Sequence, residues 1–354
     1  MNIGGKEVTQ DGPVYFIADI GANHDGELKR AKNLIKLAAE SGADAVKFQH
    51  FKAETIVSEK GFEDIKDYLP IHQRSWEKSV FETYKEASIN TDWNNNLKEY
   101  CDEYKVTFMT SPYDMQLAED INPLLDTFKI GSGDISWIEM IEHLCKYRKN
   151  IIAATGASSI EDVRRLYNKV NDYGNKLCLM QCNTNYTGDD SENLKFINLN
   201  VLNQYRLEFP KAILGLSDHT HGCTTVLGAV SLGARIIEKH FTDDNSRLGP
   251  DHKFAMNPKS WSEMVIETGK LISSLGDGRK KIEENESLTY IAQRRSIYAT
   301  KDIYQGERIK KDDVIALRPN QKNSFPVENL HNLIGKSANK TIKKGNCIFI
   351  DSII

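Results

Sequence analysis

The stretch Gly215–His252, GLSDHTHGCTTVLGAVSLGARIIEKHFTDDNSRLGPDH, decides the fold. An apolar run beginning at Ala212 and ending at Leu216 predicts a strand. A helix is predicted at about Cys223–Leu232, and a second strand at Ala234–His240. A strand–helix–strand crossover makes the two strands parallel. The groups that end them, Ser217, Asp218 and His219 on one and Glu238, Lys239 and His240 on the other, therefore emerge at the same carboxyl end. Side chains alternate along a strand, so Ser217 shares a face with His219, and Glu238 shares one with His240. Two imidazoles there, with Asp251 and His252 just beyond, suit a divalent metal with open coordination positions. Taken singly, each histidine also reads as a loop-edge residue satisfied by a backbone carbonyl. The paired placement favours the metal.

Working outward from this unit, the same alternation continues upstream. Strands are expected at Val14–Ile20, Asp44–Gln49, Val106–Ser111, Thr127–Ser132, Asn150–Thr155 and Leu177–Cys182, with helical material between them. Glu27–Ser41, for example, places Leu28, Ala31, Leu34, Ile35 and Ala38 on one face and ends at Gly42. Eight strands in such alternation predict an α/β fold, a (β/α)8 TIM barrel. A doubly wound open sheet is the alternative, weakened because no G-x-G-x-x-G follows the first strand. A barrel requires its reactive groups at the carboxyl ends of the strands. Asp19, Lys47, Gln49, Ser111, Lys129, Ser132, Thr155, Asn183, His219 and His240 stand there. Lys47 and Lys129 lie inside apolar strands, and a buried lysine needs a charged partner. That partner is either an anionic ligand or an internal carboxylate, Asp19 or Glu238.

The remaining segments divide the chain. Residues 1–12 predict a small hairpin around Gly4-Gly5, and His50 to about Asn90 forms a long aromatic-rich insertion of the kind that is usually functional. The barrel domain is expected over 1–275, a charged linker over 276–293, and a small β-rich domain over 294–354. A net charge of −4 gives no basic field for nucleic acid. The six cysteines form no C-x-x-C pair, as expected of reduced thiols in a cytoplasmic protein. The N-terminus has no signal-peptide pattern, and no apolar run is long enough to span a membrane.

Two inward lysines with the hydroxyls of Ser111, Ser132, Thr155 and Ser217 would hold a phosphate and a carboxylate together. A metal on His219 and His240 would polarise a carbonyl oxygen. Asp19, Glu238 and Asp251 supply carboxylates for proton transfer or for sugar hydroxyls. An enol phosphate beside an aldehyde in such a site would give carbon–carbon bond formation. A metal-dependent hydrolase could use the same histidines without needing two buried lysines.

The segments DIGANHDGELKRAKNLIKLAAESGADAVKFQ, FMTSPYD, KIGSGD, ATGASS, GLSDHT, EKHFTDD and GPDHKFAMNP, in this order, resemble the sialic acid (nonulosonate) synthase family. RRSIYATKDIYQGE, IALRP and LIGKSANKTIKKG resemble the antifreeze-like SAF domain that follows the barrel in that family. The resemblance implies condensation of phosphoenolpyruvate with an open-chain N-acylated hexosamine, giving a nine-carbon 2-keto acid and phosphate by C–O cleavage. It assigns Lys47, Gln49, Ser111, Lys129, Ser132 and Ser217 to phosphoenolpyruvate, and His219 and His240 to Mn2+, with Mg2+ or Co2+ as substitutes. Asp19, Tyr186, Glu238 and Asp251 fall on the sugar side, and Asp19, Lys47, Lys129 and Glu238 in the catalytic set. Arg318 matches an arginine that reaches the sugar's acyl-amino group across a domain-swapped homodimer. Asp19 stands where the family commonly has Glu, Ala154 where it has Ser, and Thr184 where it tends to have Asn. The 50–90 insertion matches poorly. The expectation is the family reaction on a different or modified amino sugar. The rivals are a related synthase making seven- or eight-carbon keto acids, and a binding protein that has lost catalysis.

Overall fold

The structure is a computed structural model, and it describes residues 1–74, 76–186 and 194–354. The chain divides into two compact units, Met1–Gly276 and Asp277–Ile354. In the first, a closed barrel is built from eight parallel strands: β3 (Tyr15–Asp19), β4 (Ala45–His50), β5 (Thr107–Pro112), β6 (Thr127–Ile130), β7 (Asn150–Ala154), β8 (Leu177–Cys182), β9 (Ile213–Asp218) and β10 (Ile236–His240). The hairpin expected at the N-terminus forms from β1 (Asn2–Ile3) and β2 (Lys6–Glu7). The TIM barrel expected from the sequence is the barrel observed, and the open doubly wound sheet is excluded by the pairing of β10 with β3.

The helices follow from local sequence. Leu28–Glu40 buries Ala31, Leu34, Ile35 and Ala38 against the strands. It ends at Gly42, whose φ of +96° lets the Ala43 amide turn back onto the Ala38 carbonyl. Ile160–Asp172 is opened by a capping box of Ser159 and Asp162, and Pro258–Leu275 by one of Asn257 and Ser260 with proline in the first turn. Among the described residues no helix is long and apolar enough to cross a membrane. All six cysteines are free thiols.

Two apolar layers result. The larger fills the space between strands and helices, and the smaller fills the amino-terminal half of the barrel lumen. In the lumen, Ile3 and Val8 beside the hairpin meet Tyr15, Ile17, Ala45, Met109, Ile152, Cys178, Met180, Ile213 and Ile236. Gly215 has no room for a side chain: a Cβ there would lie 2.7 Å from the Ile236 carbonyl oxygen and 3.0 Å from Cys178 Sγ. With its lower half plugged, the lumen opens only at the carboxyl ends of the strands, where barrel sites lie.

The second unit pairs β11 (Ser296–Ala299) with β12 (Val314–Leu317) in antiparallel register. Its own core is Ile297, Ala299, Ile303, Ile309, Val314, Leu333, Ala338, Ile342 and Ile348.

Candidate active site

Strand register assembles the site. Paired residues on parallel strands face the same way, and the register aligns His240 with Asp19 and Asp19 with Lys47. It likewise aligns Gln49 with Ser111, Cys182 with Ser217, and Ser217 with Glu238. The outcome is a cavity of about 350 Å³ at the lumen mouth, lined by Asp19, Lys47, Gln49, Lys129, Ser132, Tyr186, Ser217, His219, Glu238 and His240, together with Tyr113, Asp134, Ala154 and Cys182. Ser111 is buried at the inward position beside Gln49, and its hydroxyl has no hydrogen-bond partner.

Both lysines find internal carboxylates. Lys47 Nζ lies 2.7 Å from Asp19 Oδ2, and Lys129 Nζ lies 3.1 Å from Glu238 Oε1. Asp19 is a hub, because it also accepts from Gln49 Nε2 at 3.0 Å and from the Gly21 amide, and stands 3.6 Å from His240 Nε2. Burial alone would raise the Asp19 carboxyl, but the charges of Lys47 and His240 outweigh it and hold the group below its usual range. Burial likewise opposes the charge on Lys47, and the Asp19 and Glu238 carboxylates overcome it and raise the ammonium. Glu238 also accepts from Ser217 Oγ at 3.2 Å, while its second oxygen has no partner. A buried oxygen left unpaired costs about 1–3 kcal/mol unless a ligand satisfies it.

The two histidines face one another with ring centroids 5.5 Å apart and planes inclined by 37°. His219 Nδ1 is 3.0 Å from the Asn183 carbonyl, which can only accept, so Nε2 carries the lone pair. His240 Nδ1 is buried without a hydrogen bond, 3.7 Å from Asp251 Oδ2. Among the described residues no set of three or more His, Cys, Asp or Glu side chains converges as a ready metal site. The donors that fit a divalent ion are therefore two imidazoles, one of them with an orphaned nitrogen, and other positions would be left for water or substrate. Behind them, Asp218 and Lys239 point to the opposite face and pair with each other. Asp218 Oδ2 also accepts from Thr220 and Thr225.

A second cavity, of about 380 Å³, adjoins the first and shares Gln49, Ile56, Tyr84, Tyr113, Ser132, Gly133, Tyr186 and His240 with it. Asp251 lies in its wall and accepts from the Ala22 amide at 3.2 Å. The 50–90 insertion supplies much of the wall: Phe51, Ile56, Pro70, His72, Gln73, Trp76, Thr83, Tyr84 and Ala87. Tyr186 stacks between His219 (4.3 Å) and His72 (4.8 Å), and Phe254 packs on His240 at 5.1 Å.

Some placements differ from expectation. Thr155 does not belong to the hydroxyl ring. Its Oγ1 donates to the Met180 carbonyl and accepts from Tyr205, because β7 turns Ile152 and Ala154 inward and the next residue outward. Three further groups line the inner cavity. Asp134, inside the KIGSGD motif, is pushed up to about 6 by burial, against the opposing charge of Lys129. Tyr113 follows the FMTSP strand, and burial raises its phenol well above the ordinary range. Burial raises the Cys182 thiol, but hydrogen bonds with His219 and Ser132 outweigh this and bring it down. Arg318 is exposed just past β12, in the second unit.

Fold and lumen together define a (β/α)8-barrel enzyme with its ionisable groups gathered at the carboxyl mouth. The chain belongs to the NeuB family, whose model matches residues 34–280, and a SAF domain follows at 294–353. It is 32% identical over 337 residues to the N,N'-diacetyllegionaminic acid synthase of Campylobacter jejuni, covering 94% of this chain and 98% of that protein. To the spore coat polysaccharide biosynthesis protein SpsE of Bacillus subtilis it is 33% identical, covering 91% and 88%. Among solved structures, the N-acetylneuraminic acid synthetase of Leptospira borgpetersenii in complex with citrate superposes with a TM-score of 0.71 at 25% identity, covering 82% of this chain and 94% of that one.

Proposed function

We propose that the protein is a nonulosonic acid synthase that joins phosphoenolpyruvate to the aldehyde of an open-chain N-acylated hexosamine. The observation that carries this is the pair of buried lysines, Lys47 and Lys129, each held by a carboxylate in the same cavity as the histidine pair. Two lysines buried beside hydroxyl groups are a device for a small, multiply charged anion. Family membership and the names of the relatives agree with that reading.

In the reaction proposed, Lys47, Gln49, Lys129, Ser132, Ser217 and the unpartnered hydroxyl of Ser111 hold the phosphate and carboxylate of phosphoenolpyruvate. His219 and His240 would hold a divalent ion, most suitably Mn2+, whose Lewis acidity would polarise the aldehyde oxygen. Carbon three of the enol phosphate forms the new bond to the aldehyde carbon, and the aldehyde oxygen takes up a proton. Water adds at carbon two, its proton going to a carboxylate, Asp19 or Glu238. Collapse of the tetrahedral centre to the ketone then breaks the carbon–oxygen bond and releases phosphate. Tyr186 and Asp251 border the second cavity and serve the sugar. Arg318 is proposed as a contact for the acyl-amino group, the protein as a homodimer, and its location as the cytoplasm. Arg318→Ala should raise the sugar KM, and an unchanged KM would remove Arg318 from the site.

The test is acceptor-dependent phosphate release. Purified protein with phosphoenolpyruvate and Mn2+ should release phosphate only when a suitable N-acylated hexosamine is present, and EDTA should abolish it. Binding of phosphoenolpyruvate with no release across a broad acceptor panel would leave a binding protein in place of a synthase.

A further inference from the structure

The two adjoining cavities differ in chemistry. The inner one holds Lys47 and Lys129, so a dianion is met by cations there. In the second, neither lysine nor arginine lines the wall among the described residues. The residues outside the description, Ser75 and 187–193, include no lysine or arginine either. Its charged wall residue, other than the histidines, is Asp251, and burial pushes the imidazole of His72 down, towards the neutral form. Further out, a mouth of about 780 Å³ does carry cations, but Lys78 is held by Glu86 and Arg247 by Asp243, both through two hydrogen bonds. Lys253, exposed at that mouth, would face a phosphate only through screening water.

The shared lining of the two cavities, Gln49 and His240 above all, fixes where the reacting aldehyde lies. The rest of the acceptor must then extend along the second cavity. On the insertion side its wall is largely apolar: Ile56 from the helix Ala53–Ile56, which also borders the inner cavity, Pro70, Trp76, and Ala87 from the helix Val80–Ala87, with Gln73 and Thr83 among them. Phe51 and Trp76 both pack on Tyr84, at 5.3 and 6.4 Å, so this wall is a continuous surface. A phosphate buried there would meet aromatic rings and a carboxylate from this wall, and the one arginine proposed to approach the sugar, Arg318, is assigned to its acyl-amino group. Methyl groups would be well placed.

Resting on the synthase reading, we infer that the acceptor is an uncharged N-acyl amino sugar without a phosphate, whose methyl-bearing substituents lie against the Ile56–Trp76–Ala87 wall. The test compares N-acetylmannosamine, 2,4-diacetamido-2,4,6-trideoxymannose and N-acetylmannosamine 6-phosphate on the full chain loaded with phosphoenolpyruvate and Mn2+. Calorimetric binding and phosphate release are read side by side. A neutral sugar should bind about 100-fold or more tightly than the phosphorylated one. Equal or tighter binding of the 6-phosphate, or binding of none of the three, overturns the inference. Selective binding of a neutral sugar with no phosphate release would uphold the inference while removing the synthase reading. Release with the 6-phosphate as the best acceptor would do the reverse. Ala87→Lys places a cation in the wall and should shift the preference at least about tenfold towards the 6-phosphate. An unchanged ratio would mean that the acceptor does not extend along this wall, which also overturns the inference.

Discussion

Replacing Asp19 by Asn separates what the buried Lys47–Asp19 pair does for the fold from what it does for the reaction. The side chains are 2% and 3% exposed and 2.7 Å apart. Removing one partner of a buried pair costs about 3–5 kcal/mol, because the remaining charge is left without compensation. Glu238 also acts on Lys47, so the lower end applies, about 3 kcal/mol. At roughly 2–4 °C per kcal/mol for a domain of this size, Tm should fall by about 6–12 °C. The four tryptophans, Trp76, Trp93, Trp137 and Trp261, all lie in the barrel unit, so their fluorescence reports its unfolding alone. The pH dependence has a definite sign. In the wild type the Lys47 ammonium is raised, so its contribution is fully present below the unfolded value of 10.5 and is lost as pH rises through the folded value. In Asp19→Asn the strongest counter-charge is gone and only Glu238 and Asp251 oppose burial, so Lys47 should be depressed, with a penalty largest near neutrality that fades as pH rises towards the unfolded value. The deficit relative to wild type should therefore shrink between pH 7.5 and 9.5. Asp19→Asn combined with Lys47→Met removes both charges and should recover most of the stability, yet remain inactive. A single variant as stable as wild type at pH 7.5, or a deficit that grows with pH, would refute the reasoning.

Other predictions follow from the same geometry. Asp134 has a carboxyl raised from 3.8 to about 6, so its ionisation costs stability as pH rises through 6; Asp134→Asn should gain about 1–3 kcal/mol at pH 7.5 and little at pH 4, measured by urea unfolding. Asp218 anchors Lys239 behind the histidine-bearing strand ends, so Asp218→Asn should weaken Mn2+ binding about 10- to 100-fold in a spin-resonance titration, with phosphoenolpyruvate binding much less affected. Gly215→Ala should destabilise the barrel by about 1–3 kcal/mol or more through overpacking against the Ile236 carbonyl, seen as a lower Tm.

The barrel was legible because each strand is a buried apolar run stopped by chemistry-bearing residues, and each expected strand overlaps the observed one. The inner site was legible for the same reason: Asp19, Lys47, Lys129, Glu238 and the two histidines break apolar runs at strand ends. What escaped depended on strand phase or on short elements. Thr155 falls one residue past Ala154 and therefore on the opposite face, where its hydroxyl meets Met180 and Tyr205 and not the lumen. The second cavity's wall escaped because the insertion folds into helices of four to eight residues, too short for a periodic signal. Pro258–Leu275 carries an N-P-K-S capping signature that marks its start. Asp134 and Cys182 are ordinary residue types whose unusual acidities arise from burial and from His219, Ser132 and Lys129, none of which neighbours them in sequence.

The most direct measurement uses phosphoenolpyruvate carrying oxygen-18 in its bridging position, with Mn2+ and a neutral N-acylated hexosamine, followed by mass spectrometry of both products. The expected products are a 2-keto acid of mass equal to the sugar plus pyruvate, with no label, and inorganic phosphate carrying all of the label. Label retained in the keto acid, or pyruvate and phosphate released with the sugar unchanged, would contradict the proposed reaction.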